Sequence, residues 1–184
     1  MENWNEYIHK HNLNAGHEIN LGLNRIETLI RITSESKGKV WILGNGGSAT
    51  TADHFAADLS LTKTRGGISI AAFSLVSGIG WLTALSNDYS YEDVFKMQLQ
   101  NILEGNDLVV GLSASGNSQN LINGLLYAHK SSVKTFSFLG FDGGRILKEK
   151  IGESLLFETQ TGEYGIVENL HLMAVHYLAE KLRK

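Results

Sequence analysis

The chain contains no cysteine and no proline among its 184 residues. Without thiols there is no disulfide and no thiolate metal site, so the cytoplasm is the expected compartment. Without proline, the breaks between elements fall mainly to glycine, of which there are 20. No apolar run approaches the ~20 residues that a membrane helix needs. The opening MENWNEYIHKHN has neither a basic leader nor an apolar stretch, so neither membrane association nor a secretory signal is expected. A basic surplus is also lacking: the formal charge is −3, which argues against a nucleic-acid partner. What remains, 42% hydrophobic and 19% charged, is the composition of a soluble globular chain with room for a substantial core. With no linker, repeat or low-complexity tract, one domain over residues 1–184 is expected.

Along residues 2–33, Trp4, Tyr7, Ile8, His11, Ala15, Ile19, Leu23, Ile26, Leu29 and Ile30 recur at three- and four-residue steps. This predicts one long or once-broken amphipathic helix over 1–33, suited to oligomerisation, ahead of a core over 38–184. From Val40 onward short apolar runs alternate with helical patterns. The strand candidates are Val40–Leu43, Ile68–Phe73, Leu108–Leu112, Val133–Phe138 and Ser154–Phe157. Helices are expected after the first glycine loop, at about 78–86, 91–103, 118–131 and 143–150, and at about 165–183. This alternation predicts a parallel five-stranded sheet covered on both faces, a three-layer αβα sandwich. Ligands of such sheets bind beyond the carboxyl ends of the strands.

The stretch VWILGNGGSATTADHFAAD, from Val40 to Asp58, organises the rest. A strand, the loop Gly44–Ser48 and a helix start bring unpaired backbone N–H groups to a helix N-terminus, which is an anion site. Read as G-x-G-x-x-A through Ala49, the loop also fits a loose dinucleotide fingerprint. That reading requires an acid closing the second strand, and Ile70–Leu75 has none. Without a Gly-Lys-Ser/Thr ending it is not a triphosphate-binding loop either. After the third strand, Ser113-Ala114-Ser115-Gly116-Asn117-Ser118 opens another helix, and its hydroxyls suit a phosphate monoester, although a serine-rich cap looks much the same. Two such loops on one sheet edge favour a phosphorylated ligand. Asn87-Asp88 reads either as a turn or as a pair that hydrogen-bonds sugar hydroxyls.

One turn into the first loop's helix, His54 and Asp58 are spaced i, i+4 on one face. The last helix carries Glu168, His171 and His176. A lone helical histidine is usually surface or core. With His54 and Asp58, however, the last helix can complete a site of two histidines and two carboxylates for Zn2+ or another divalent cation.

Taken together, GNGGS, HFAAD, LTALSNDYSYEDVF, GLSASGNS and GIVENLHLMAVHYL resemble the sugar isomerase (SIS) domain family, and within it the phosphoheptose isomerases. The resemblance implies a SIS, flavodoxin- or Rossmann-like fold. It also implies a homotetramer with active sites at subunit interfaces, and isomerisation of sedoheptulose 7-phosphate to D-glycero-D-manno-heptose 7-phosphate for surface polysaccharide. By motif match, Asn45, Gly46, Gly47 and Ser48 line the substrate end of the first loop. Ser113, Ser115 and Ser118, with Ala114 between them, would hold the phosphate, and Asn87 and Asp88 would face the sugar. His54, Asp58, Glu168 and His176 fall where the family places its metal ligands and proton-transfer groups, with one divalent cation, Zn2+, per subunit. Three positions depart from the family pattern: Asp58 replaces Glu, Glu168 replaces Gln, and Ala114 replaces Thr. The expected mechanism runs through a cis-enediolate, with Asp58 moving the proton between C1 and C2 and His176 as its acid/base partner. The alternatives are an isomerase of another phosphosugar, or a non-catalytic SIS tetramer that binds a protein such as the replication initiator.

Overall fold

A computed structural model describes His9 and residues 16–183 of the chain. In order these form α1 (His17–Glu35), β1 (Lys39–Gly44), α2 (Gly47–Ser60), β2 (Ala71–Ser74), α3 (Ile79–Asp88), α4 (Val94–Ile102) and β3 (Leu108–Ser113). Then follow α5 (Gln119–Lys130), β4 (Lys134–Phe141), α6 (Gly144–Lys148), β5 (Glu153–Glu158) and α7 (Tyr164–Lys181). The part of the expected N-terminal helix with Trp4, Tyr7, Ile8, His11 and Ala15 lies outside the described residues.

All strand pairs are parallel and the order across the sheet is β2-β1-β3-β4-β5. Alternate residues of each strand feed two different helical layers, as a pleated sheet requires. Val40 and Ile42 of β1, Val110 and Leu112 of β3, and Phe136 and Phe138 of β4 pack against α1, α2 and α7. Trp41 and Leu43, Val109, and Leu139 point the other way, toward α4 and α5, with Leu82 and Leu85 of α3 at the margin. The expected αβα sandwich is therefore present.

Two segments differ from the sequence expectation. Pairing of β2 with β1 begins only at Ala71, not at Ile68. Ile68 is engaged elsewhere: its N–H donates to the Leu182 carbonyl, and its own carbonyl accepts from Thr62 Oγ1. Ile68 and Ile70 are apolar because they pack onto the core beside α2 and α7, not because they pair with β1. The helix expected over 91–103 begins as a single 3-10 turn at Tyr91–Asp93, capped by the Ser90 hydroxyl accepting from the Glu92 N–H, before α4 starts.

The seam between α1 and α7 is polar at its rim. Glu27 accepts from Lys181 Nζ at 2.6 Å and from Arg31 Nε at 3.0 Å. Partial burial by itself would raise the Glu27 carboxyl, but the two cations outweigh it and hold its pKa below the ordinary value. Helix α7, which carries the site's histidine and glutamate, is thus fixed to its neighbour as well as to the sheet.

Candidate active site at the carboxyl edge of the sheet

The connection leaving β1 runs to β2 on one side, and the chain returns to β3 on the other. A strand order of this kind opens a crevice beyond the carboxyl ends of β1 and β3. A cavity of about 280 Å3 occupies that position. Its wall contains Asn45, Gly46, Gly47 and Ser48 from the first loop, Ser113, Ala114, Ser115 and Ser118 from the second, and Glu168 from α7. Leu112 and Tyr164 complete it.

The first loop turns at Gly46, whose φ of 55° lies in the left-handed region that a side chain would resist. This turn delivers Gly47 and Ser48 as the first residues of α2, whose leading N–H groups lack helical partners. In the second loop the Ser113 hydroxyl accepts from the Gly116 N–H at 3.0 Å, and the Ser115 hydroxyl accepts from the Asn117 N–H at 3.2 Å. Both serines use an oxygen lone pair to hold the loop, which leaves their O–H free to donate to an anion. The cavity thus offers an anion cradle between two helix N-termini, with room beside it for more of a ligand than its phosphate.

Two residues the sequence reading missed hold the cradle in shape. Asn45 and Asn120 exchange side-chain hydrogen bonds in both directions, at 2.8 and 3.0 Å, and Tyr91 Oη donates to Asn45 Oδ1 at 3.0 Å. Asn120 is buried at the start of α5, just past the GNS motif; an amide there is the one local hint of its role. Asn120→Ala strands the Asn45 amide, and a loss of about 1–3 kcal/mol is expected by urea unfolding.

Helices α2 and α7 run side by side in the same direction, and their facing residues form a seam leading away from the cradle. At its start the Glu168 carboxylate lies against Gly47: a Cβ at that glycine would sit 2.3–2.4 Å from the carboxylate atoms. Further along, His54 Nε2 lies 2.9 Å from His176 Nε2 and 3.3 Å from Asp58 Oδ2. Ligand atoms of His54, Asp58 and His176 all fall within 4.8 Å of one another. At the far end Asp58 Oδ1 also meets Arg65 Nη1 at 3.4 Å and Arg183 Nη2 at 3.7 Å. His171, turned toward the sheet, is fully buried against Phe138 and Phe157 and is not in the cluster.

Of the sequence-expected positions, nine line the cavity, and His54, Asp58 and His176 cluster on the seam beside it. Asn87 and Asp88 are in neither group. They are the exposed last residues of α3, where Asn87 Nδ2 donates to Asp88 Oδ1 at 2.8 Å. They are also absent from the wall of a second cavity of about 270 Å3, which shares Asn45 and Gly46 and includes Asp53 and Tyr91.

The sequence pattern of the SIS domain matches residues 4–140. The chain belongs to the SIS domain family. It is 35% identical over 152 residues to the phosphoheptose isomerase of Helicobacter pylori, covering 83% of this chain and 78% of the relative. To a probable phosphoheptose isomerase of Thermoplasma volcanium it is 37% identical over 161 residues, 86% of this chain and 81% of the relative. The solved structure of a phosphoheptose isomerase from Neisseria gonorrhoeae superposes with a TM-score of 0.86 at 27% identity, over 97% of this chain and 94% of that one.

Proposed function

We propose that the protein is an aldose–ketose isomerase that interconverts sedoheptulose 7-phosphate and D-glycero-D-manno-heptose 7-phosphate, supplying heptose for surface polysaccharide. The observation that carries this reading is the cradle between two helix N-termini, opening beside a seam of carboxylates and imidazoles, in a chain whose relatives are named phosphoheptose isomerases. The cradle suits the substrate's dianionic end. Held there, the phosphate orients the sugar so that proton transfer becomes effectively intramolecular. One carboxylate moves a proton between C1 and C2, and His176 protonates and deprotonates the sugar oxygens.

His54, Asp58 and His176 suit a divalent cation. Two ring nitrogens 2.9 Å apart are close to the ~3.3 Å spacing that tetrahedral Zn–N bonds of about 2.05 Å impose. Two nitrogens and a carboxylate oxygen are a donor set for zinc, one ion per subunit, with half-exposed His54 leaving a side open. When bound, such an ion supplies Lewis-acid polarisation of the carbonyl. Losing even an outer-shell partner of a ligand costs about 10–100-fold in affinity, so His176→Ala should weaken zinc binding by about 100-fold or more, read by calorimetry.

A homotetramer accords with α3, which buries no residue although Ile79 and Trp81 are apolar and exposed. Phe73, Tyr89 and Tyr91 are exposed as well, and Tyr91 hydrogen-bonds Asn45 of the cradle, so a subunit seated on Tyr91 would cover the site's margin. Among the described residues no helix is long and apolar enough to cross a membrane.

The test is to incubate the zinc-loaded protein with sedoheptulose 7-phosphate and a panel of other ketose phosphates, and to follow aldose formation by NMR. Conversion fastest on the heptulose is expected. Faster conversion of another member would assign the chain to that sugar, and no conversion of any would remove the enzymatic reading.

A further inference from the structure

We infer that Tyr91 is a specificity-determining residue: its phenol oxygen accepts from the hydroxyl on the carbon next to the phosphorylated one, while an N–H of Asn45 donates to that same hydroxyl. This rests on the phosphosugar reading above. The Leu121 N–H, in the first turn of α5 where no helical carbonyl faces it, donates to Asn120 Oδ1 at 2.9 Å. A backbone N–H can only donate, so the Asn120 atom it meets is the oxygen. Asn45 Nδ2 donates to that same oxygen at 2.8 Å, and Asn120 Nδ2 donates in return to Asn45 Oδ1 at 3.0 Å. One backbone donor thereby sets which way both amides point.

Asn45 Oδ1 takes Tyr91 Oη as its second donor at 3.0 Å, which fills both of its lone pairs. Asn45 is left with one N–H and no acceptor. Tyr91 has given its only proton and is left with an oxygen that can accept but not donate. A donor and an acceptor one amide apart are the pair that a ligand hydroxyl satisfies, since it can accept and donate at once. A phosphate or carbonyl oxygen would satisfy Asn45 alone.

Position selects which hydroxyl this is. Asn45 and Gly46 lie in the wall of the phosphate cradle and also in that of the second cavity, whereas Tyr91 belongs to the second alone. A phosphate in the cradle brings its ester carbon to this shared boundary and the hydroxyl of the next carbon toward Tyr91. Val76, Leu82 and Phe95 give the second cavity an apolar side for C–H groups. The rest of the sugar chain stays free to run to His54 and His176. Tyr91 is also held in place for this contact. It opens a 3-10 turn capped by Ser90, and Asn123, three residues beyond Asn120 on α5, donates to the Glu92 carbonyl at 2.9 Å and to Asp93 Oδ1 at 3.0 Å. Helix α5 therefore fixes the tyrosine and the amide pair against each other. Because the Leu121 N–H already orients the amides, the phenol O–H is not needed to keep the cradle in shape.

The experiment compares wild type with Tyr91→Phe, which keeps the ring and loses the hydroxyl, by NMR titration of the zinc-loaded protein with three probes. Methyl phosphate offers the phosphate alone. Racemic glycerol 1-phosphate adds the hydroxyl in question, and 3-hydroxypropyl phosphate lacks that hydroxyl but keeps the terminal one. Wild type should bind glycerol 1-phosphate about tenfold more tightly than 3-hydroxypropyl phosphate, the net worth of two hydrogen bonds. In Tyr91→Phe the advantage should shrink to about threefold or less, the share left to Asn45, with methyl phosphate bound within about twofold of wild type. An equal advantage in both proteins, or none in wild type, overturns the assignment. So does a loss of methyl phosphate in Tyr91→Phe that matches the loss of glycerol 1-phosphate, since the phenol would then only support the cradle. A wild-type protein that binds none of the three probes removes the phosphosugar reading itself, and this assignment with it.

Discussion

Asp107→Ala is expected to lower the stability of the protein by about 3–5 kcal/mol, although the residue is remote from the cradle. Asp107 is fully buried at the opposite end of the sheet, in the turn that enters β3. Its Oδ1 accepts from the Lys39 N–H at 2.7 Å, and its Oδ2 accepts from Trp41 Nε1 at 2.8 Å and from the Glu104 N–H at 2.9 Å. One carboxylate therefore joins the first residue of β1, the indole beneath the sheet and the turn before β3. Alanine would leave all three donors without a partner, and each buried donor so stranded costs about 1–3 kcal/mol. Asp107→Asn keeps one acceptor oxygen but turns an NH2 toward a donor, so it should fall between alanine and wild type. Urea unfolding followed by tryptophan fluorescence, with Trp41 as the local reporter, reads the midpoint. An unchanged slope with a lowered midpoint marks a true loss of stability. A loss below 1 kcal/mol in the alanine variant would mean that the turn and β1 are held by other contacts.

The sequence alone makes this architecture legible where an element's local pattern and its tertiary role agree. Strands β1, β3 and β4 are apolar runs because both faces are covered, the edge strand β5 is marked by the short run Leu155–Phe157, and the bounds observed lie within three residues of those expected. β2 is misplaced because its own residues carry little apolar signal: Ala71 and Phe73 are exposed, while the more apolar Ile68 and Ile70 before them pack onto the core beside α2 and α7. The two cradle loops are legible for a topological reason. In a parallel sheet the residues just after the strands are brought together, so the loops after β1 and β3 must face a common crevice. What local spacing does not reveal is the seam. His54 and His176 are 122 residues apart, and their meeting depends on α2 and α7 packing in the same direction. Arg65 and Arg183, which tie down Asp58, have no signature at all, because an arginine near a helix end is ordinary. Asn87-Asp88, which reads as a turn or as a pair for sugar hydroxyls, is the exposed end of α3, because the helix pattern of 78–86 runs on through both residues.

His171 makes the protein acid-sensitive well before its carboxylates titrate. Its imidazole is wholly buried between Phe138 and Phe157, and burial lowers its pKa from the ordinary 6.5 to about 4. Neither ring nitrogen completes a hydrogen bond; the Leu139 carbonyl opposes the shift only in part. Above pH 6.5 the ring is neutral in both the folded and the unfolded chain, and the full stability is present. As the pH falls below 6.5 the unfolded chain takes up the proton while the folded one refuses it, so stability drops by about 1.4 kcal/mol per pH unit until the folded ring titrates near 4. The whole effect is roughly 3 kcal/mol, a large share of the 5–15 kcal/mol that a domain usually has. His171→Phe removes the titration. It adds some overpacking, of about 1–3 kcal/mol at most, but that cost is the same at every pH. Urea midpoints measured for both proteins at pH 7.5, 6 and 5 separate the two contributions. The variant should gain on wild type by about 2 kcal/mol between pH 7.5 and 5, whatever its offset at pH 7.5. Parallel curves would mean that the buried ring finds a proton acceptor on protonation, and that α7 yields at that point to admit one. The seam's geometry depends on α7 staying in place. The same acid range should therefore weaken the approach of His176 to His54 before the sheet itself unfolds.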